Sequence, residues 1–155
     1  MRSYFLLIIC CVFFSCKSNS QSDVSNAAIF TNKSPEGFHN IISEEDSAKF
    51  YMVVYKSNKD TSDMIIKRYW KSGSVESFAR FKKDTIPYGV WYILREDGKY
   101  IFKIVNENGK TTEWHHYDER GKIKTLTLYK DYPKKEKVIK YDTLGKVVEE
   151  ISISN

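Results

Sequence analysis

The sequence predicts an all-β fold, an antiparallel meander of repeated β-hairpins. The hairpins form a single twisted sheet, which can also be curled. From Phe50 onward, short stretches of aromatic and β-branched residues alternate with polar turns. Four turn glycines, Gly73, Gly98, Gly121 and Gly145, are separated by 25, 23 and 24 residues. A fixed period of this length is typical of repeat architectures. No segment sustains a 3.6-residue apolar pattern between these turns, which argues against helices.

The amino terminus predicts an export signal rather than a folded element. Arg2 precedes an apolar stretch over residues 4–14, and Ser15-Cys16 ends it. This stretch suits a secretory signal, because a membrane-spanning helix needs about 20 apolar residues. Cys16 is the last cysteine of the chain, so no disulfide can form downstream of it.

The boundary at Ser15-Cys16 resembles the lipobox of bacterial lipoproteins. The resemblance implies a signal peptide over residues 1–15, diacylglycerol and acyl chains (palmitate) on Cys16, and a membrane-anchored protein of the cell envelope. Lys17-Ser18 follow without an aspartate, so the resemblance further implies the outer membrane of a diderm bacterium. The alternative is an ordinary cleaved signal peptide with an accidental cysteine.

Residues 16–37 are rich in Ser, Asn and Lys, which predicts a flexible tether carrying the lipidated cysteine. Residues 38–155 form the predicted β-repeat domain, with strands over residues 51–56 and 64–70. Ser43, followed by acidic residues, predicts the start of a short helix. Without Arg2 the charge balance is 24 basic against 20 acidic residues, a mild excess that does not require a nucleic-acid partner, and export argues against one.

The repeats predict how side chains are distributed over the sheet. Trp91 and Leu94 are three residues apart, as are Trp114 and Tyr117, so the members of each pair lie on opposite faces. The alternation also places Tyr100, Phe102 and Ile104 on one face. Asp97-Gly98 and Asn108-Gly109 are the strongest hairpin signals, because tight turns need positive φ.

Residues 89–99 (GVWYILREDGK) and 112–122 (TEWHHYDERGK) resemble MORN-repeat-variant units of bacterial surface and antitoxin-like proteins. Degenerate copies extend the resemblance over about 65–155. It implies a shape, β-hairpin repeats, more than a chemistry. It also implies an alternative function, an antitoxin or immunity-type protein that neutralises a toxin by binding it.

The sequence offers no catalytic, metal or cofactor site. His115 and His116 are adjacent in a strand and point to opposite faces, so they cannot bind one ion together. No serine or carboxylate pair lies in a catalytic spacing. The basic run over residues 130–137 predicts a long, solvated hairpin turn, with contact to an anionic surface as the alternative. We therefore expect a non-enzymatic protein without cofactors.

Aromatic residues are the remaining candidates for function. Both predicted sheet faces are partly apolar, so one stripe of aromatics either covers a core or forms an exposed surface that binds an envelope protein or a polysaccharide. We expect a recognition surface of this kind, with the following candidate residues: Trp91, Tyr100, Phe102, Trp114, Tyr117, Tyr129 and Tyr141.

Overall fold

The computed structural model describes residues 30–45, 49–83 and 85–154. These residues form one sheet of ten antiparallel strands in sequential order, which confirms the predicted all-β meander. The described residues contain no helix, and the sheet is not closed, with the first and last strands as its edges. The strands are β1 (Phe38–Glu45), β2 (Phe50–Ser57), β3 (Asp63–Trp70), β4 (Val75–Lys82), β5 (Ile86–Leu94), β6 (Tyr100–Glu107), β7 (Lys110–Tyr117), β8 (Ile123–Asp131), β9 (Lys134–Tyr141) and β10 (Val147–Ser152).

The four periodic glycines form turns with the same hydrogen bonds. In one of them the Asp118 amide donates to the Lys122 carbonyl (2.8 Å), and the Gly121 amide donates to the Asp118 carbonyl (3.0 Å). Each glycine has a φ between +81° and +88°, a region that costs other L-residues about 1–2 kcal/mol. All four turns join an odd strand to the next even one, so they lie at one end of the sheet, which we call the glycine end.

The opposite end carries the second predicted hairpin signal. Asn108 and Gly109 connect Glu107 directly to Lys110 and have φ values of +50° and +80°. Two successive positive φ angles define the tight turn that matches the twist of paired strands. The dipeptide therefore makes the two-residue hairpin expected of it.

Cross-strand pairs divide the sheet into two faces, because directly opposed residues project to the same side. We call one the core face, since it carries the main hydrophobic cluster, and the other the open face. Tyr55 and Tyr69 on the core face are joined through their hydroxyls at 3.3 Å. The cluster consists of Val53, Tyr55, Ile65, Tyr69, Val75, Phe78 and Leu94.

A segment before β1, residues 30–37, lies across the core face, and we call it the strap. The Phe30 ring packs on Tyr92 and Tyr100, with ring centroids 5.9 and 6.1 Å apart. Pro35 is fully buried, and the Gly37 carbonyl accepts from the Asn58 amide at 2.8 Å. The strap thus completes the core of a sheet that would otherwise expose this face.

A buried lysine holds the strap. Lys67 on β3 has no exposed surface, and its Nζ donates to the carbonyls of Thr31 (3.1 Å) and Lys33 (3.2 Å). Burial lowers the pKa of Lys67 to about 8, because the low-dielectric surroundings disfavour the ammonium form. The ammonium also lies 5.9 Å from the centroid of the Tyr55 ring.

A second charged pair lies beside the core. Arg80 on β4 binds the carboxylate of Asp63 on β3 through two guanidinium nitrogens, and both side chains are largely buried. This hydrogen bonding raises the pKa of Arg80. The two charges are therefore compensated by each other as well as by the Tyr88 ring, 5.3 Å from the guanidinium.

The core is confined to the amino-terminal part of the sheet. Among the described residues, none beyond Asn106 is buried, and every residue of β10 is exposed. Strands β7 to β10 are held mainly by their ladders and by surface pairs such as Lys140–Glu149 (2.7 Å). The sheet is therefore covered by a second layer on its amino-terminal side and is a single layer on its carboxyl-terminal side.

Three sequence-based expectations are corrected. Ser43 does not begin a helix, because it lies in β1 and pairs with Val53. The strap belongs to the packed domain, so the domain includes residues 30–37 as well as 38 onward, whereas composition alone assigned these residues to the tether. The basic run is not a long turn, since Asp131 pairs with Lys134 across only Tyr132 and Pro133.

Candidate functional site

The seven candidate aromatic residues do not form one stripe. Trp91, Phe102 and Trp114 lie on the open face. Ile104 of β6 pairs with Trp91 on one side and with Trp114 on the other. Tyr100 and Tyr117 lie on the core face, with ring centroids 5.3 Å apart. The structure therefore assigns the predicted residues to two separate surfaces.

A register shift explains why Tyr100 and Phe102 separate. Phe102 pairs with Ile93, but Leu94 pairs with Tyr100, so Ile101 is an extra residue in β6. Such a bulge reverses the alternation of side chains beyond it. The expectation that Tyr100 and Phe102 share a face is wrong for this reason, while the predicted separation of Trp91 from Leu94 is confirmed, because Leu94 is in the core.

The remaining two candidates lie near the carboxyl-terminal strands. Tyr129 contacts Tyr132 (centroids 5.1 Å apart) next to the β8–β9 turn, and Tyr141 pairs with Val147 of the edge strand. Burial raises the pKa of Tyr129, and the nearby Tyr132 adds to this effect. Tyr129 borders the row of rings on the open face, since it lies two residues from Thr127, which pairs with Trp114, whereas Tyr141 lies beside the edge strand and apart from the row.

The open face carries a row of half-buried rings across four adjacent strands, and we call it the aromatic row. Phe81 contacts Trp91 (4.8 Å), and Phe102 contacts both Trp114 (5.6 Å, edge to face) and His116 (4.9 Å, stacked). Ile104 lies between the two groups and pairs with both tryptophans. The Trp91 indole donates to the Arg80 carbonyl at 3.0 Å, which fixes that ring.

Nothing in the described structure covers the aromatic row, in contrast to the core face beneath the strap. Rings that pack against one another and are exposed on one side supply a large, rigid apolar contact area at low entropic cost. Phe81 and His116 belong to this row but were not predicted. The register of β4 and β7 with their neighbours would have been needed to find them.

A polar cluster at the glycine end of the open face was also missed by the sequence reasoning. Phe50 contacts Trp70 (4.7 Å), and the Arg68 guanidinium lies 4.2 Å from the centre of the Phe50 ring. Arg68 Nη1 is 4.0 Å from Glu76 Oε2. Arg95 follows β5 two residues after Ile93, which pairs with Ser77 beside Glu76. Three strands therefore contribute to one cluster.

Groups capable of acid–base chemistry are sparse and scattered. His115 Nε2 is 2.7 Å from Glu113 Oε2 on the core face, and His39 Nδ1 is 2.7 Å from the Asn58 amide oxygen. Within the part of the chain that the structure describes, no three His, Cys, Asp or Glu side chains are grouped to hold a metal ion. The histidine pair lies on opposite faces, with His116 against Phe102.

A shallow pocket opens at the end of the sheet opposite the glycine end. It has a volume of about 530 Å³ and lies between the β4–β5 and β6–β7 turns. Its lining includes Lys82, Tyr88 and Glu107, with Lys82 Nζ 4.4 Å from the Tyr88 ring centre. The lining contains two lysines, of which Lys82 already contacts the Tyr88 ring, and it offers no convergent set of polar groups.

The predicted attachment residue, Cys16, lies outside the described residues. Across residues 30–45, 49–83 and 85–154, the structure contains no helix long and apolar enough to cross a membrane. Comparison with protein-family models and with curated proteins finds no match for the chain. The site must therefore be interpreted from its own geometry.

Proposed function

We propose that this protein is a lipid-anchored envelope protein whose open face is a non-catalytic recognition surface. The observation that carries the proposal is the aromatic row, which is held rigidly by cross-strand packing and is left uncovered by the described residues, whereas the strap covers the amino-terminal part of the core face. All three tryptophans of the chain, Trp70, Trp91 and Trp114, lie on this face. Tryptophan and other aromatic residues are enriched at binding hot spots.

Two features support a binding role over a catalytic one. The aromatic row contains a single titratable side chain, His116, and its rings are positioned by backbone pairing rather than by mobile loops. Rigid placement lowers the entropic cost of binding a flat or extended partner. The partner that fits this surface is a polysaccharide or a protein of the envelope.

The lipid anchor rests on the sequence around Cys16. Two or more acyl chains bury enough methylene groups, at about 0.8 kcal/mol each, for stable membrane attachment. The strap begins fourteen residues after Cys16, and an extended chain spans about 3.3–3.6 Å per residue. This length would let the sheet stand clear of the bilayer with its open face accessible.

The anchor can be tested separately from the surface. Cells expressing the wild type or the Cys16→Ser variant would be fed an alkyne-tagged fatty acid and then fractionated. We expect the wild type to carry the tag and sediment with membranes, and the variant to be untagged and soluble. An untagged wild-type protein would rule out lipidation.

The surface is tested by alanine variants of the row. Phe102→Ala and Trp114→Ala should each reduce retention of the envelope partner by about tenfold or more, the range typical of hot-spot residues. Tyr132→Ala removes an exposed ring outside the row and serves as the matched control. Equal losses in all three variants, at equal folded fractions, would contradict the proposal. Recovery of a secreted toxin as the bound partner would instead favour the immunity-type function.

A further inference from the structure

The polar cluster at the glycine end of the open face contains buried polar atoms without a hydrogen-bond partner among the described residues, although one of them, Glu76 Oε2, lies 4.0 Å from Arg68 Nη1. Trp70 Nε1, Arg95 Nε and Glu76 Oε2 are all buried, and none has a hydrogen-bond partner among the described residues. Buried polar groups in proteins are nearly always paired, because an unpaired one loses its hydrogen bonds to water without gaining others. Three such atoms on neighbouring strands make this cluster a candidate site for a polar ligand.

The register shows that these atoms belong together. Trp70 pairs with Phe50, and Arg68, two residues before it, pairs with Ser77, so both project to the open face. A bulge at this point leaves Glu76 as the extra residue of β4, beside Arg68. Ser77 also pairs with Ile93, and Arg95 follows Ile93 by two residues just after β5 ends, so Arg95 lies at the same end of the adjacent strand. The Ser74 hydroxyl donates to the Glu96 carbonyl (3.2 Å), which joins the two turns beneath the cluster.

The chemistry of the three atoms defines what they can bind. Trp70 Nε1 and Arg95 Nε are donors, and with the remaining guanidinium nitrogens they suit a carboxylate, which Arg binds in a planar, bidentate manner. Glu76 Oε2 is an acceptor that suits a hydroxyl group. The Phe50 and Trp70 rings lie alongside and offer an apolar surface on which a sugar ring can pack.

We propose that Phe50, Trp70, Glu76 and Arg95 form a binding site for an acidic sugar unit, that is, a sugar ring carrying a carboxylate. Arg95 and the Trp70 indole bind the carboxylate, Glu76 accepts a hydrogen bond from a sugar hydroxyl, and the rings pack against the sugar face. Arg68, which is about one-third exposed, moves from the Phe50 ring as the ligand enters. This inference deepens the proposed function, since it assigns an acidic polysaccharide to the same open face.

The site would extend the aromatic row rather than duplicate it. Ile93 connects the two, since it pairs with Ser77 on the side of the cluster and with Phe102 on the side of the row. A polysaccharide chain lying along the open face could therefore place its carboxylate at the cluster and its neighbouring units on the row. Selectivity would come from the cluster and contact area from the row.

The test uses the full chain purified in mild detergent, with tryptophan fluorescence to follow binding. The probe is polygalacturonate, and the controls are its methyl-esterified form, which lacks the charge, and polyglutamate, which lacks the sugar. We expect polygalacturonate to bind, and both controls to bind at least tenfold more weakly. Equal binding of polyglutamate would show that the cluster recognises only the negative charge and would overturn the assignment. Equal binding of the esterified polymer would show that the carboxylate is not recognised and would overturn it as well.

Variants locate the binding in the cluster. Arg95→Gln should weaken polygalacturonate binding by about tenfold or more, because it removes a charge-assisted hydrogen bond to the carboxylate. Trp70→Phe keeps an aromatic ring at this position but removes the indole N–H, and it should weaken polygalacturonate binding by about fivefold. Arg120→Gln is the matched control, since it removes a positive charge from a neighbouring turn at the same end, and should leave binding unchanged.

The outcomes distinguish this inference from the proposed function. If Arg120→Gln weakened binding as much as Arg95→Gln, attraction would be non-specific and the cluster would not be a site. If binding were lost in Trp114→Ala but not in Arg95→Gln, the row would bind the polymer and only the cluster assignment would fail. If no probe bound at all, the acidic-sugar site would be refuted, while binding of an envelope protein to the row would remain open to the retention test.

Discussion

Raising the pH from 7 to 9.5 should stabilise this protein through one buried residue, Lys67. In the folded state burial lowers the pKa of Lys67 from 10.5 to about 8. The unfolded chain keeps the ordinary value, so between these two values it binds more protons than the folded state. The contribution of Lys67 to the free energy of unfolding therefore rises with pH in this window. This contribution is lowest at neutral and acidic pH, where Lys67 is protonated in both states.

The size of the effect follows from the shift. Each pKa unit corresponds to about 1.4 kcal/mol, so the complete transition contributes about 3 kcal/mol, and about 2 kcal/mol of it falls between pH 7 and 9.5. Tyrosines act in the opposite direction at higher pH. Burial, with the Tyr55 hydroxyl, raises the pKa of Tyr69, so the folded state retains that proton while the unfolded chain loses it near pH 10.

Urea unfolding of the wild type and of Lys67→Met at pH 7, 8, 9 and 9.5 isolates this contribution. Methionine has a similar length and cannot titrate, and it leaves the tyrosines unchanged, so the difference between the two pH profiles belongs to Lys67. We expect the wild type to gain about 2 kcal/mol relative to the variant over this range. Parallel profiles would refute the claim that the ammonium is buried under the strap.

Three further predictions concern the turns, the ion pair and the strap. Gly98→Ala should cost about 1–2 kcal/mol of unfolding free energy from backbone strain alone, because φ is +81° and no atom lies within 4 Å of the added methyl; an unchanged urea midpoint would contradict this. Asp63→Asn should cost about 3 kcal/mol by leaving the Arg80 charge buried, whereas Glu149→Gln at an exposed pair should cost less than about 1 kcal/mol; similar losses would mean that burial of the pair is unimportant. Phe30→Ala should loosen the strap, so limited proteolysis should cleave within residues 30–37 faster than in the wild type; identical cleavage would show that the ring does not hold it.

The turns and strands were predictable because their signals are local. A tight turn needs a residue with positive φ wherever the turn lies, and glycine adopts this conformation readily. Glycines at a period of about 24 residues were therefore enough to predict the meander. The prediction of a helix at Ser43 was wrong, although the helix-capping signal is also local. The pairing of β1 with β2 outweighed the local preference for a helix.

Features that depend on distant contacts were not predictable. The strap looks like a tether in composition, but contacts with residues distant in the chain hold it on the sheet, among them Lys67 and Tyr92, more than 30 residues away. The bulge at Ile101 reversed the predicted position of Tyr100, since bulges arise from register between strands rather than from one strand's pattern. The polar cluster required three strands in register before its members could be recognised as neighbours.

The most direct test of the central claim is site-specific photocrosslinking from the two faces in intact cells. Thr127 pairs with Trp114 on the open face, and its neighbour Leu128 pairs with Glu113 on the core face. A photoreactive residue at position 127 should crosslink the anchored protein to an envelope protein or polysaccharide, and the same residue at position 128 should not. Crosslinking from position 128 alone would contradict the assignment of recognition to the open face.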